Sequence, residues 1–333
     1  MRKQILIAFL CGLVLPLAMM SMRPNGSGKT VPEDVESEAL SETQDVPVWD
    51  AQQRVTVLSE SGNLRQMRLD EYLVGVVLAE MPVNFEKDAL MAQAVVARTY
   101  TCKRMENSKH EEAAVCTDSG CCQGFRDAED YVNSGGGQDA VEVIRSAVFS
   151  TDGQVLVYGG ELIDATYFSC SGGMTEDAVA VWGRDVPYLQ SVESPGEEAA
   201  PRYSDRISYS PENFRKLTGC DGSGNPAGWF GGIRRTDGGG VDTIEICGKS
   251  YSGTELRGML GLRSTMFSVS VEDGMIVITT KGFGHRVGMS QYGAQAMALE
   301  GNSYRDILEH YYSGALLKKW ETEETENSNS SGT

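Results

Sequence analysis

The chain has 333 residues, 41% of them hydrophobic, and carries a formal net charge of −18 at pH 7. That length allows one large domain or two modest ones. The charge excludes a nucleic-acid binder that works by neutralising phosphates.

The acidity is uneven. "VPEDVESEALSETQD" from Val31 and "ETEETENSNSSGT" from Glu321 carry much of it, and both have the composition of solvated, disordered chain. Arg2 and Lys3 precede an apolar run, "ILIAFLCGLVLPLAMM", close to the ~18 residues of a minimal membrane span. It reads as an uncleaved signal-anchor, the alternative being a cleaved signal peptide. Either places the rest of the chain outside the cytoplasm, so the expected localisation is the cell membrane with the folded part on the extracytoplasmic side. The expected organisation is an anchor over 1–22, an acidic linker over 23–50, a folded domain over 51–316 and an acidic tail over 317–333.

Structured sequence starts at "RVTVLSESGNLRQMRL", where alternation around "SGN" predicts a hairpin of Val55–Leu58 with Gln66–Leu69. Asp70 then has the look of a helix N-cap, with Leu69 and Val74 as a hydrophobic staple. The helix runs from Glu71 to about Glu80 and stops before Pro82. Its spacing puts Leu73, Val76, Val77 and Glu80 on one face. A second helix, "EKDALMAQAVVARTYT", has small residues that allow close packing against the first. "QVLVYGGELIDATYF" predicts a hairpin turning at Gly159–Gly160, and "MFSVSVEDGMIVITT" another turning at Asp273–Gly274. "SQYGAQAMALEG" and "SYRDILEHYYSG" each predict a helix with a serine N-cap and a glycine just past the end. There is no βαβ rhythm, no internal repeat and no Rossmann or P-loop motif. The expected fold is α+β, a single mixed domain of hairpins and helices behind an N-terminal anchor.

Several segments, taken together and in order, resemble the stage II sporulation protein D (SpoIID) family. They are "YLVGVVLAEMP" with "DALMAQAVVARTYT", then "FSCSGGMTEDAVAVWGRDVPYLQSVESP", then "GFGHRVGMSQYGAQAMALEGNSYRDILEHYY". They span the chain from about Gln52 to Leu316. The resemblance implies a membrane-anchored lytic transglycosylase that cleaves peptidoglycan glycan strands stripped of their stem peptides during engulfment in sporulation. It also implies the amidase SpoIIP and the membrane protein SpoIIM as partners.

Such an enzyme needs one carboxylate, in contrast to the two of most glycosidases. A protonated glutamate donates to the oxygen between MurNAc and GlcNAc, then takes the proton of the MurNAc C6 hydroxyl as that oxygen closes onto C1. Burial against apolar side chains would keep such a group protonated, and "GVVLAEMP" has that character. The resemblance puts this role on Glu80, where sequence alone would favour the commoner case of a glutamate exposed at a helix end. Arg98 would orient the acid or bind the lactyl carboxylate of the substrate, or else form a surface salt bridge. Tyr100 would donate a hydrogen bond or pack.

The serine- and glycine-rich loop "FSCSGGMTED" offers Ser169 and Ser171 as sugar contacts, with Cys170 where the family often has threonine. No His–Asp pair at a recognisable spacing supports a serine nucleophile. "GFGHRVGMSQYGA" offers His285, Gln291 and Tyr292 to the same cleft, while His310, beside two tyrosines, suits packing.

"HEEAAVCTDSGCCQ" gathers His110, Cys116, Cys121 and Cys122 at a density that suggests zinc. The resemblance picks His110, Cys116 and Cys122 as ligands of a structural zinc, with Cys121 as a spare. A disulfide from Cys116 to Cys121 or Cys122 is the alternative outside the cytoplasm, and Cys220 with Cys247 forms another possible pair. Two other functions compete with the transglycosylase: a non-catalytic peptidoglycan-binding or amidase-enhancer module, and a zinc-dependent wall amidase or peptidase. The second suffers from having only three histidines in the chain and no H-E-x-x-H.

Overall fold

Alternating apolar residues at Val55 and Val57 face inward and begin the sheet structure. In the computed structural model, which describes residues 49–320, β1 (Arg54–Leu58) pairs antiparallel with β2 (Leu64–Arg68), Val55 standing opposite Met67. The expected hairpin is therefore present with its second arm shifted towards the N-terminus. On its other edge β1 takes the short β3 (Val115–Cys116) in parallel, Leu58 opposite Cys116. The expected anchor and nearly all of the expected linker and tail lie outside the described residues. The folded region exceeds 51–316 at both ends. Trp49 and Asp50 belong to α1 (Trp49–Gln52), and β14 (Leu316–Lys319) pairs with β4 (Gln154–Tyr158). No helix among the described residues is long and apolar enough to cross a membrane.

The chain turns from β2 directly into α2 (Leu69–Glu80), and Arg68 rather than Asp70 occupies the N-cap position. Asp70 is buried and instead accepts hydrogen bonds from the Arg68 guanidinium. Every residue from Tyr72 to Leu78 is buried, so α2 has no solvent face against which a stripe could be defined. α3 (Lys87–Glu106) is likewise buried from Ala89 to Cys102. Its alanines let it pack against α2, α5 (Gln138–Ser150) and α9 (Gln291–Leu299), with α4 (Ala128–Asn133) bracing α2 and α5. Two buried helices at the centre of the main core thus replace the predicted amphipathic pair.

β4 continues into β5 (Glu161–Leu162) through Gly159 and Gly160, whose φ angles of 61° and 95° fit the left-handed turn that such a hairpin needs. A second, smaller core lies between residues 204 and 281. There β7 (Ser204–Tyr209) pairs with β12 (Met275–Lys281), which pairs with β11 (Phe267–Glu272) across the expected Asp273–Gly274 turn. A separate sheet of β8 (Phe230–Arg235), β9 (Val241–Ile246) and β10 (Lys249–Ser252) belongs to the same core. α7 (Pro211–Thr218) and α8 (Gly253–Leu260) cover it, burying Phe214, Leu256 and Leu260. The result is α+β, with mixed small sheets rather than one continuous layer.

The two glycine-rich motifs meet through a short parallel ladder. β6 (Tyr167–Phe168) lies beside β13 (Met289–Ser290), so Ser169 and Gln291 leave the ladder side by side. Ser290 caps α9 by accepting the Gly293 N–H, and Gly301 follows that helix with φ of 90°. Ser303 and Asp306 form a capping box on α10 (Tyr304–Tyr311). The position after its C-cap is Ser313 rather than the expected glycine. The turn is completed by Gly314 at φ of 71°.

Candidate active-site groove and metal-ligand cluster

α2 ends where the core opens to solvent, and this places its last residue, Glu80, at a junction. One cavity of about 670 Å³ has Glu80, Tyr100, Tyr167, Trp182, His285 and Gln291 in its wall. A second, of about 420 Å³, is walled by Met81, Pro82, Arg202 and Tyr292 and shares Glu80, Ser169, Phe283 and Gln291 with the first. The shared residues make the two cavities arms of one groove with Glu80 where they meet.

Glu80 is half-buried, and its Oε1 accepts the Gly124 N–H at 2.6 Å. A Cβ at residue 124 would come to 2.9 Å from that oxygen, so a side chain there would displace the carboxylate from this position. The surroundings differ from the apolar stripe that spacing predicts: phenols, an amide and cations share the wall with Phe283. Burial and then the Glu80 carboxylate push the neighbouring Tyr167 phenol well above its ordinary range, which keeps it a hydrogen-bond donor. The other groove carboxylate, Asp164, is engaged by Lys103, Arg104 and Arg184 at 3.4, 3.1 and 3.4 Å. Among the described groove residues, Glu80 is the carboxylate without a cationic partner.

Of the remaining expected contacts, Tyr100, Ser169, His285 and Gln291 line the first arm and Tyr292 the second. Arg104 stacks over the Tyr100 ring at 5.0 Å, and the Lys109 ammonium donates to its hydroxyl at 3.3 Å. Burial, and then Arg257, bring His285 down to about 4, so it is a neutral imidazole. Its Nδ1 accepts the Val287 N–H at 3.1 Å while its ring packs between Phe168 and Trp182. Gln291 is 6% exposed and its Nε2 has no partner among the described residues. His310 packs on Tyr311 and donates to the Glu193 carbonyl at 2.7 Å, away from the groove.

Two expected contacts are not in the groove. Arg98 is fully buried in an ion pair with Asp50, its Nε 2.8 Å and its Nη2 2.6 Å from the carboxylate oxygens. The other N–H groups donate to Val148 O, Thr151 Oγ1 and Gln154 O. All donors are consumed, and none is left for a substrate. Ser171 is also fully buried; its N–H and hydroxyl both donate to Glu197 Oε2, at 2.7 and 2.8 Å. Glu197 further accepts from Gly172 N, Ser194 Oγ and Ser290 Oγ, which ties the two glycine-rich motifs together behind the groove. Arg286 does the same nearby, bonding Glu176 at 3.0 Å and the Ser171 carbonyl at 2.6 Å.

The groove also holds Trp182 and Arg257, which lie outside the expected contacts. Trp182 ends α6 (Ala178–Trp182), is 45% exposed and offers a broad ring to the groove. A tryptophan followed by the helix-ending Gly183 was the available signal. Arg257 comes from α8, whose capping box of Ser252 and Glu255 marks the helix in the sequence but not the groove it faces.

His110, Cys116, Cys121 and Cys122 all present ligand atoms within 4.8 Å of one another. His110 Nε2 is 3.4 Å from Cys122 Sγ and 3.8 Å from Cys121 Sγ, and the two sulfurs are 4.0 Å apart. A tetrahedral zinc with its usual ~2.0–2.3 Å bonds separates its ligands by roughly 3.5–3.8 Å, so the set fits a Cys₃His site. Cys121, expected to be a spare, is the fourth ligand candidate. The three cysteines are free thiols. Against the cost of burial, hydrogen bonds from the Cys116 main chain and the His110 ring bring the Cys122 thiol down to about 7. Gln123 and Gly124 follow at once. Gln123 is buried and donates to Thr101 Oγ1 at 3.0 Å, and Gly124 holds Glu80. The cluster therefore anchors the loop that positions the carboxylate. Cys102 and Cys170 are core thiols pushed by burial to about 12 and about 11. Cys220 and Cys247 lie in the second core as free thiols.

The fold and site define an extended-groove protein with one carboxylate free of a cation, held by a loop that carries a cluster of one histidine and three cysteines. A family model described as "SpoIID: Stage II sporulation protein" matches residues 59–158. Stage II sporulation protein D of Bacillus amyloliquefaciens is 39% identical over 263 residues, 77% of this chain and 76% of its own length. The protein of the same name from Bacillus subtilis is 33% identical over 332 residues, 95% of each. The amidase enhancer of Bacillus subtilis is 28% identical over 306 residues, 74% of this chain but 40% of its own length. The chain belongs to the stage II sporulation protein D family.

Proposed function

We propose that this protein is a membrane-anchored lytic transglycosylase acting on peptidoglycan glycan strands stripped of stem peptides, during engulfment in sporulation. One observation carries the reading: a single carboxylate without a cation sits where two arms of an extended groove meet, and the other groove carboxylate is occupied by three cations. A chain threaded through both arms would present a bond at Glu80. Two-carboxylate hydrolysis needs a second free acid; transglycosylation does not.

In the proposed reaction Glu80 gives its proton to the oxygen between MurNAc and GlcNAc as the C1–O bond breaks. The carboxylate then takes the proton of the MurNAc C6 hydroxyl while O6 bonds to C1, leaving a 1,6-anhydro end and consuming no water. One group serves as acid and then base. Gly124 fixes its position. The unpartnered Gln291 amide is a donor for sugar oxygens, Tyr167, whose hydroxyl donates to Gln123 Oε1 at 3.4 Å, lines the wall beside it, and Trp182 is a platform for an apolar sugar face. Arg98 and Ser171 have no part in it. Zinc held by His110, Cys116, Cys121 and Cys122 would be structural: it would neutralise the thiolates and lock the loop through Gly124. The membrane anchor, the extracytoplasmic location and the partners SpoIIP and SpoIIM complete the proposal by family resemblance.

A second reading is a non-catalytic wall-binding module that stimulates an amidase, favoured by the amidase-enhancer relative. Incubating the full chain with stem-peptide-free strands and weighing the products separates the two. Anhydro-ended fragments that vanish in Glu80→Gln are expected; binding without cleavage by the parent protein would leave the second reading standing. For the metal, zinc content should fall in His110→Ala and Cys121→Ser alike, and unchanged content in both would refute the site.

A further inference from the structure

The chain is strongly acidic, yet its groove is lined by cations, and three of them, Lys109, Arg202 and Arg257, have no carboxylate among the described residues; Lys109 is taken up by the Tyr100 hydroxyl and the Cys121 carbonyl. Arg257 faces the first arm and enters none of the ion pairs among the described residues. Its Nε donates weakly to Leu262 O at 3.4 Å, and its terminal nitrogens have no partner among the described residues. Burial lowers its pKa, the mark of a guanidinium held partly out of water without a counter-charge. Arg202 lines the second arm, where it stacks over the Phe283 ring at 5.3 Å and is likewise unpaired among the described residues. Arg104 and Arg184, by contrast, are already committed to Asp164.

A desolvated guanidinium without a partner favours a planar anion, and a carboxylate matches its fork. One arginine without a carboxylate in each arm of a groove centred on Glu80, Arg257 half-buried and Arg202 exposed, calls for a linear ligand with an anion repeated along its length. A glycan strand with a carboxylate on every second sugar is such a ligand. We propose that Arg257 and Arg202 read the free carboxylates on alternate sugars of the strand, so that the groove selects strands from which stem peptides have been removed. This rests on the glycan reading above and adds the residues that set its specificity. A stem peptide consumes the carboxylate as an amide and adds bulk; removing the peptide restores the charge that the arginines take.

The test separates charge from bulk and from cleavage. The full chain carrying Glu80→Gln, which should bind without cutting, is titrated with three strand preparations. One has free carboxylates, one has them capped as methylamides, and one retains its stem peptides. Free-carboxylate strands should bind roughly tenfold to a hundredfold tighter than the methylamides, and raising salt should narrow the gap. Arg257→Gln should cut the preference sharply, Arg257→Lys should restore part of it, and Arg202→Gln should reduce it by a smaller factor. Arg202 is exposed, so its replacement leaves folding intact, and melting curves check Arg257→Gln. Equal affinity for free and capped strands overturns the inference while leaving the glycan reading in place. Tight binding only of strands with stem peptides also overturns it. Failure to bind any of the three overturns the glycan reading and this inference with it.

Discussion

The groove and the wall behind it are built from the same residue types used in opposite ways. Behind the groove, Glu197 accepts from Ser171, Gly172, Ser194 and Ser290, and Asp50 takes up Arg98 at zero exposure. At the groove, Glu80 has one backbone donor, Gln291 leaves its amide nitrogen unpartnered, and Arg257 has no carboxylate. In this pair of regions, polar groups whose bonding capacity is used up hold the fold together, and those that are left short and also line the groove are available to a ligand. The difference is one of satisfaction, and a motif alone does not display it, since Glu80 and Arg98 come from the same conspicuous pair of segments.

The comparison can be broken from its strong end. Glu80→Gln should lower strand cleavage by roughly 10²–10⁴-fold, the usual worth of a positioned acid or base, with an unchanged melting temperature. A large loss of stability would make Glu80 structural. Asp50→Ala should do the reverse. Removing one partner of a buried pair costs about 3–5 kcal/mol, read by denaturant unfolding, and the fraction still folded should cleave normally. Near-parental stability would contradict the account of Arg98.

Two smaller effects sharpen it. Trp182→Ala should weaken strand affinity roughly threefold to tenfold, in line with ~0.5–1.5 kcal/mol for an aromatic platform, and leave unfolding unaffected because the ring is exposed. Loss of stability without loss of affinity would remove it from the groove. His285 is held at about 4 against its usual 6.5. Between those values the unfolded chain takes up a proton that the folded chain refuses. This residue therefore subtracts stability as the pH falls through that window and contributes nothing above it. His285→Gln should lose less stability than the parent between pH 6.5 and 4, and identical curves would show that the imidazole is not desolvated.

Local features were legible in the sequence. The Gly159–Gly160 and Asp273–Gly274 turns, the end of the first helix before Pro82, and the serine caps at Ser290 and Ser303 all follow from one residue's conformational or hydrogen-bonding preference. Periodicity was less useful for α2 and α3, because a helix buried on all sides has no stripe, and the predicted face for Glu80 dissolved with it. Arg98 and Ser171 were misread for another reason. Their partners, Asp50 and Glu197, are 48 and 26 positions away, and Asp50 lay in what composition marks as linker. Cys121 looked superfluous beside Cys122 until the loop folded both towards His110. The second core gave the least signal. The last hairpin and the caps of α7 and α8 are patterned, but none of these marks that α8 delivers Arg257 to the groove.

The central claim is that Glu80 alone serves as acid and base and that water takes no part. Cleavage of stem-peptide-free strands in water enriched in heavy oxygen tests it most directly. The account predicts anhydro-ended products with no heavy oxygen incorporated at C1 and none formed by Glu80→Gln. Reducing ends carrying the label would show that water is the nucleophile and would contradict it.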